Sequence, residues 1–298
     1  MGRNVGSVCG GFRLLALADR PRRVSFKQHL PAHVAAGLDE TYKAEAPGVT
    51  GKAYYDQHVA IIEGHEMAAA IFKEFLGHGG MRILESGCGT GRWMAYFERL
   101  GNRAVGVDDS WGPLRVARQH DRQMNFIRAN ALFTPLKSGS FDAVYSSYVA
   151  EHFEDGPEQL FREIHRVLKP GGLFFVVVPF NNLFRRIVVN PILRGLCAYW
   201  RLRKRPLAFT EYRYTQQEMD GFLHRSGFRI LRVEPDDFIL PWTKGLFVDF
   251  CDVGIFFDYL PQRPYEFGPR GLRAVRLIRK LGLWRSCAGI FYVARAEQ

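Results

Sequence analysis

The chain has 298 residues, enough for one large domain or two small ones at roughly 150 residues per domain, and 47% of them are hydrophobic against 24% charged. This balance belongs to a globular chain with a sizeable core and excludes a disordered or low-complexity one. Lys and Arg number 41 against 30 Asp and Glu, a net charge of +11, which points to an anionic contact (nucleic acid, phosphorylated metabolite or acidic lipid surface) without choosing among them. The most apolar run, Gly245 to Tyr259, carries Asp249, Asp252 and Asp258, so no membrane span is expected. Cys9, Cys88, Cys197, Cys251 and Cys287 include no Cys-x-x-Cys pair. Neither a disulfide framework nor a metal site is therefore expected, and a reducing, cytoplasmic compartment is.

Residues 1–50 read as a basic, poorly ordered extension, in which Arg3, Arg13, Arg20, Arg22 and Arg23 stand against the single acid Asp19 up to Leu38. The apolar run Phe12 to Ala18 is too short and too late for a secretory signal, and Gly6 stands where myristoylation needs Ser or Thr; an organelle-targeting segment is the alternative. Val59, Ile62, Met67, Ala70, Ile71 and Phe75 predict a helix from Tyr54 to Gly77. Strands are predicted at Arg82 to Glu85, Ala104 to Asp108, Phe141 to Ser146 and Leu173 to Pro179, with helices at Arg92 to Leu100, Pro113 to His120 and Pro157 to Leu168. Such alternation predicts a doubly wound α/β core with a mostly parallel sheet. It is interrupted at 181–213, where eight Lys and Arg meet one acid, Glu211, and resumes with a helix from Gln216 to Ser226 and a strand from Phe228 to Val233. A second interruption, 236–287, is rich in aromatics and prolines before a last strand from Gly289 to Arg295. The expected organisation is an extension, 1–50, and one domain, 51–298, whose insertions at 181–213 and 236–287 form a cap.

Arg82-Ile-Leu-Glu-Ser-Gly-Cys-Gly-Thr-Gly91 is a buried strand running into a glycine-rich turn. Glycines there allow a tight turn and close approach of a ligand to the backbone. Arg92 and Met94 occupy the places where a dinucleotide fingerprint needs its third glycine, and the Gly-Lys-Ser/Thr of a P-loop is missing. An acid at the strand end followed by Gly-x-Gly-x-Gly resembles the first motif of the class I S-adenosylmethionine (SAM)-dependent methyltransferases. Asp108, ending Val105-Gly-Val-Asp108, matches the family's ribose-binding acid, and 130–142 aligns with its adenine-binding stretch, with Asn130 in place of the usual acid. Arg166-Val-Leu-Lys-Pro-Gly-Gly172 and Tyr214-Thr-Gln-Gln-Glu-Met219 are further similarities. The resemblance implies a Rossmann-like, mostly parallel seven-stranded sheet with an antiparallel last strand. It also implies SAM as cofactor, held by Tyr54, Glu85, Gly87, Cys88, Gly89, Gly91, Asp108, Asp109, Asn130, Ala131 and Ser147. Phe126, Leu132 and Phe133 either border the adenine or pack in the core.

The fourth strand end, Ser146 to Phe153, lacks the Asp/Asn-Pro-Pro-Tyr signature of methyltransferases acting on planar nitrogens and is similar to the small-molecule branch, type 11-like. There His152 is the candidate general base, because its ordinary pKa lies near working pH; a bridge to Asp142 or Asp155 is the structural alternative. Glu151 reads as a solvated neighbour. Tyr54, Tyr55 and His58 resemble lid residues over the cofactor, or anchor the first helix; Tyr55, His58, Tyr148 and Phe180 are the acceptor-side candidates. The aromatic stretch 238–267 suits an apolar acceptor, and the basic helix carrying Arg270, Arg273, Arg276, Arg279 and Lys280 suits peripheral contact with an anionic membrane, or else simply packs on the core. The expected activity is methyl transfer to an O, N or C nucleophile of an apolar, amphipathic or lipid-like small molecule. An RNA methyltransferase and a non-catalytic SAM-binding subunit are the alternatives, with nucleic acid the less expected partner.

Overall fold

The computed structural model describes residues 25–31, 52–121, 123–237, 239 and 269–298. Its first elements are β1 (Phe26–Pro31), α1 (Lys52–His65), α2 (Ala68–Leu76), β2 (Arg82–Ser86), α3 (Arg92–Arg99) and β3 (Arg103–Asp108). There follow α4 (Trp111–His120), β4 (Asn125–Arg128), β5 (Phe141–Ser147), α5 (Glu158–Val167) and β6 (Leu168–Pro179). The chain continues through α6 (Asn190–Leu202), β7 (Leu207–Arg213), α7 (Gln216–Arg225), β8 (Phe228–Asp236), α8 (Pro269–Arg279) and β9 (Gly289–Ala296).

Seven strands form one sheet in the order β4-β3-β2-β5-β6-β9-β8. Only β9 runs antiparallel to its neighbours, β6 and β8. Alternate residues of β6 feed opposite faces. Phe175 and Val177 join Ile62, Phe72, Trp93, Phe97 and Leu114, whereas Phe174 and Val176 join Leu160, Phe161, Met219 and Phe222. Both faces are covered, which is why the central strands read as continuous apolar runs. The right-handed crossovers of a parallel sheet then bring the C-terminal ends of β2, β3, β5 and β6 to one rim.

Two sequence expectations change. The helix expected over Tyr54 to Gly77 is two helices, because Glu66 turns inward, 2% exposed, to pair with Arg92, and the Met67 N–H donates to the Asp237 carbonyl (3.3 Å). Within the expected extension, residues 26–31 are a strand paired antiparallel with β7; the rest of 1–50 lies outside the described residues. The insertion at 181–213 forms a π turn (Arg185–Val189), α6 and β7. The pairing is locked by Arg213, fully buried beneath the Phe26 ring, which donates to the Gln28 side chain and to Glu211 Oε1 (3.1 Å). Gln28 is opposite Glu211 in the register, so the Arg213 guanidinium gains the Gln28 acceptor only when the two strands pair. Of the second insertion, 238 and 240–268 lie outside the described residues.

Phe72 sits where α2, α3 and the sheet converge, with rings of Trp93, Phe97, Tyr145, Phe175 and Phe291 centred 5.0–5.6 Å away. Phe72→Ala leaves a cavity among aromatic rings that cannot collapse, and is expected to lower unfolding free energy by about 3–5 kcal/mol in denaturant titrations.

Candidate functional site

After β2 the chain turns through Gly87, Gly89 and Gly91 at φ +78°, +52° and +79°, and Gly91 launches α3 from a left-handed conformation. Their reasons differ. A Cβ at Gly87 would lie 2.2 Å from Val149 Cγ2 and one at Gly91 2.7 Å from the Phe126 ring, whereas a Cβ at Gly89 would meet nothing within 4 Å. Gly87 and Gly91 let the turn pack; Gly89 keeps its outer side open. Cys88 points the other way, buried in the core, so it offers the rim only its backbone.

Asp108 ends β3 beside this turn. Its Oδ2 accepts from the Gly89 N–H (2.8 Å) and its Oδ1 from the Ser110 N–H (2.9 Å). Burial pushes its carboxyl pKa up, while both amides pull against that rise. Asp109 is exposed. Glu85 is buried and accepts from the Met94 N–H (3.1 Å) at the start of α3, with burial holding its carboxyl well above the usual range.

Asn130 and Ala131 lie on the loop after β4, next to the Asp108 end of β3: the Ala129 N–H donates to the Asp108 carbonyl (3.0 Å). The Asn130 Oδ1 accepts from the Leu132 N–H (2.8 Å), closing an Asx turn, so one of its two lone pairs is committed to the loop itself. Phe133 is 68% exposed, while Phe126 is buried against Gly91. The loop is held by groups the sequence reading missed. Glu163 accepts from the Thr134 N–H (2.8 Å) and hydroxyl (2.6 Å), and Arg166 donates to Glu163, the Leu136 carbonyl and the Thr134 carbonyl. Burial opposes ionisation of Glu163, but Arg166 and Thr134 together hold its carboxyl below the usual range.

The aromatic helix start caps the turn. The Tyr54 hydroxyl donates to Thr90 Oγ1 (3.1 Å), the Tyr55 hydroxyl to the Thr90 carbonyl (3.0 Å), and the Tyr54 ring stacks on His120 with centroids 3.9 Å apart. His58 lies edge-on to Tyr54 at 4.4 Å, and burial next to Arg92 lowers its pKa to about 4, keeping it neutral.

Across the rim, the Ser147 end of β5 leads to Tyr148 at φ +54°, whose hydroxyl donates to Asp236 Oδ2 (3.0 Å), and Phe180 packs edge-on against Trp284. His152 is exposed, on a short 3₁₀ turn, with Nδ1 2.8 Å from the Thr210 carbonyl of β7. That contact requires an Nδ1–H and leaves Nε2 as the basic atom, 3.9 Å from Glu151 Oε1; neither Asp142 nor Asp155 is its partner in these contacts. Surrounding protein opposes a charge on His152, but Glu151, the Thr210 carbonyl and Glu211 raise its pKa. Glu151 is the larger correction: it is 1% exposed, not solvated, and burial raises its carboxyl to about 8. Its Oε2 has no hydrogen-bond partner among the described residues. Only the three-dimensional path of the 3₁₀ turn, folded under β7, hides it.

Residues 84–176 match the family described as a methyltransferase domain, the type 11 model. This segment is thereby a SAM-dependent methyltransferase domain of the class I type. The family's cofactor is SAM. Among curated members, the chain is 33% identical over 96 residues to malonyl-(acyl-carrier protein) O-methyltransferase of Serratia marcescens, covering 32% of this chain and 37% of that protein. It is 38% identical over 98 residues to a ubiquinone biosynthesis O-methyltransferase of Ruegeria pomeroyi, covering 32% and 39% respectively. The matches thus span well under half of those relatives. The fold matches that of Burkholderia thailandensis 1,6-didemethyltoxoflavin-N1-methyltransferase, solved with S-adenosylhomocysteine, over 89% of this chain and 88% of that one, with a TM-score of 0.50 and 17% identity.

Two outcomes follow from this geometry. Gly89→Ala is expected to fold with a loss of about 1–2 kcal/mol from left-handed strain and to bind SAM at least about ten-fold more weakly by calorimetry. Gly91→Ala meets the Phe126 ring as well and is expected to lose more stability. Glu151 carries the second. An acid neutral when folded but ionised when unfolded costs stability from about its ordinary 4.5 upward, and the cost is complete above about 8. Glu151→Gln should therefore gain on the wild type through that window, and denaturant unfolding as a function of pH reads the gain.

Proposed function

We propose that this protein transfers the methyl group of SAM to an oxygen, nitrogen or carbon nucleophile of an apolar, amphipathic or lipid-like small molecule. The observation that carries the reading is the Asp108 carboxylate set against the open side of Gly89. That pairing offers an acceptor for a vicinal diol beside backbone that no side chain screens. When bound, SAM supplies an electrophilic methyl group on a sulfonium. The chain's own residues fit such a ligand. Asp108 would accept from the ribose hydroxyls, with Asp109 at its flank; Asn130 and Ala131 would border the adenine on a loop braced by Glu163 and Arg166. Glu85, Gly87, Cys88 through its backbone, Gly91 and Ser147 would shape the methionine end, and Tyr54 would close over it with an aromatic face suited to positive charge.

On the acceptor side, Tyr55, His58, Tyr148 and Phe180 are assigned to the wall and His152 to proton removal. Thr210 fixes the tautomer that leaves Nε2 unprotonated, so the ring takes the proton of an acceptor hydroxyl at that atom while the chain aligns the nucleophile with the methyl group. Two relatives whose names specify O-methylation support an oxygen acceptor, and the ubiquinone-pathway name supports an apolar one. The stretch 238–267, expected to supply an aromatic wall, lies outside the described residues apart from Ile239. Among the described residues no helix is long and apolar enough to cross a membrane.

Asp108→Ala is expected to weaken SAM binding at least about a hundred-fold with the fold retained, the scale of losing charged hydrogen bonds to a ligand. For the acceptor step, His152→Ala should lower turnover about a hundred-fold at unchanged SAM affinity, and wild-type turnover should rise as pH passes the raised His152 pKa. The substrate class is read by incubating cell extract with methyl-labelled SAM: label in the lipid or small-metabolite fraction supports the assignment, and label confined to RNA overturns it.

A further inference from the structure

The first insertion carries an apolar helix face that nothing among the described residues covers. Ile187 is 65% exposed, Ile192 47%, Tyr199 51% and Leu202 83%, with Val188 also exposed. Scattered apolar side chains on a surface are ordinary, but here they follow a pattern. Val188, Ile192, Tyr199 and Leu202 are spaced by four, seven and three residues, one side of a helix. The other side is already used: Val189 and Asn190 are buried, the Cys197 thiol donates to the His29 carbonyl (3.3 Å), and Arg194 lies over the Phe26 ring. The outward stripe is therefore not a core face misplaced.

Its charge setting is one-sided. Arg186, Arg201, Arg203, Lys204 and Arg205 are exposed beside the stripe, and no acid occurs from Asn181 to Thr210. Phe180, at the foot of the insertion, touches Trp284, which brings a second exposed set to the same rim: Trp284 and Leu281 beyond α8, and Leu277 on it, with Arg273, Arg276 and Lys280 exposed. Arg279 differs from those three and turns inward to Asp237 (2.8 Å).

We propose that the α6 face, with the α8 end beside it, docks into the interface of an anionic lipid bilayer. Apolar side chains flanked by cations match acyl chains beneath anionic headgroups. A second copy of the chain would bring the same cations against this face, and RNA would leave the apolar stripe in water. Docking places the C-terminal rim of the sheet, where the insertion begins at Asn181 and where His152 meets β7, next to the bilayer. Delivery of an apolar acceptor from the lipid to that rim rests on the proposed methyl transfer; the docking itself does not.

The test is co-sedimentation of the full chain with vesicles of phosphatidylcholine alone or mixed with phosphatidylglycerol, at low and high salt. Binding to the anionic vesicles is expected, weakened by salt and lowered about ten-fold or more by Ile192→Glu with Leu202→Glu and, separately, by Arg203→Glu with Lys204→Glu. SAM affinity measured on the same samples should stay at the wild-type value, which shows that the variants fold and separates this outcome from failure of the cofactor assignment. Absence of binding to anionic vesicles, equal binding to neutral ones, or wild-type binding by either double variant overturns the proposal. So does a concentration-dependent dimer that Ile192→Glu with Leu202→Glu dissolves, since the face would then belong to a second copy.

Discussion

The hydrogen bond from the Gly89 amide to Asp108 joins the two strand ends on which the proposed cofactor side depends. β2 and β3 are parallel neighbours, so their C-terminal ends already lie side by side, but parallel pairing alone leaves the loops beyond them free to diverge. The carboxylate prevents this by accepting from one amide in the glycine turn and another, Ser110, in its own loop. Gly91 and Gly87 allow the turn to sit down on Phe126 and Val149, and Gly106 leaves room beneath for Cys88 and Met94. A short turn with three left-handed residues is thereby held rigid from both sides, as a preorganised ligand cradle requires.

The proposed acceptor side is organised by a different device. A segment near the N-terminus, β1, is stitched to β7 of the insertion through the buried Arg213, and the Ser25 N–H donates to Glu218 Oε1 (2.7 Å) at the start of α7. Arg213 buried without Gln28 and Glu211 would be costly, so the insertion and the N-terminal strand order each other. The result fixes the Thr210 carbonyl that orients His152 and covers Glu151. A histidine whose tautomer is set by backbone thus lies beside a buried carboxyl pushed up to about 8, and strand pairing, not local sequence, builds that arrangement.

The insertion also shows how one element serves two environments. Its inner side, through Cys197 and Arg194, packs on β1, while its outer stripe keeps apolar side chains in contact with solvent. Such exposure costs free energy unless something covers the stripe, and the surrounding cations restrict what that can be.

The alternating α/β core, the glycine turn and Asp108 were legible in the sequence, because each rests on short-range patterns: apolar runs, glycines at fixed spacing and an acid ending a strand. Only the family resemblance implied that the strands number seven. The family resemblance rested on the same segments. The short β4 and the β1–β7 pair were not legible, since a four-residue strand gives little periodicity and a pairing across about 180 residues leaves no local trace. Glu151 was misread for a related reason. Glu and His in adjacent positions look equally polar in sequence, and only the 3₁₀ turn passing under β7 decides that one is buried and the other exposed. The sequence by itself determined which groups the chain places at its strand ends; the tertiary structure decided which of them are desolvated, because desolvation depends on what packs on a group from elsewhere in the chain.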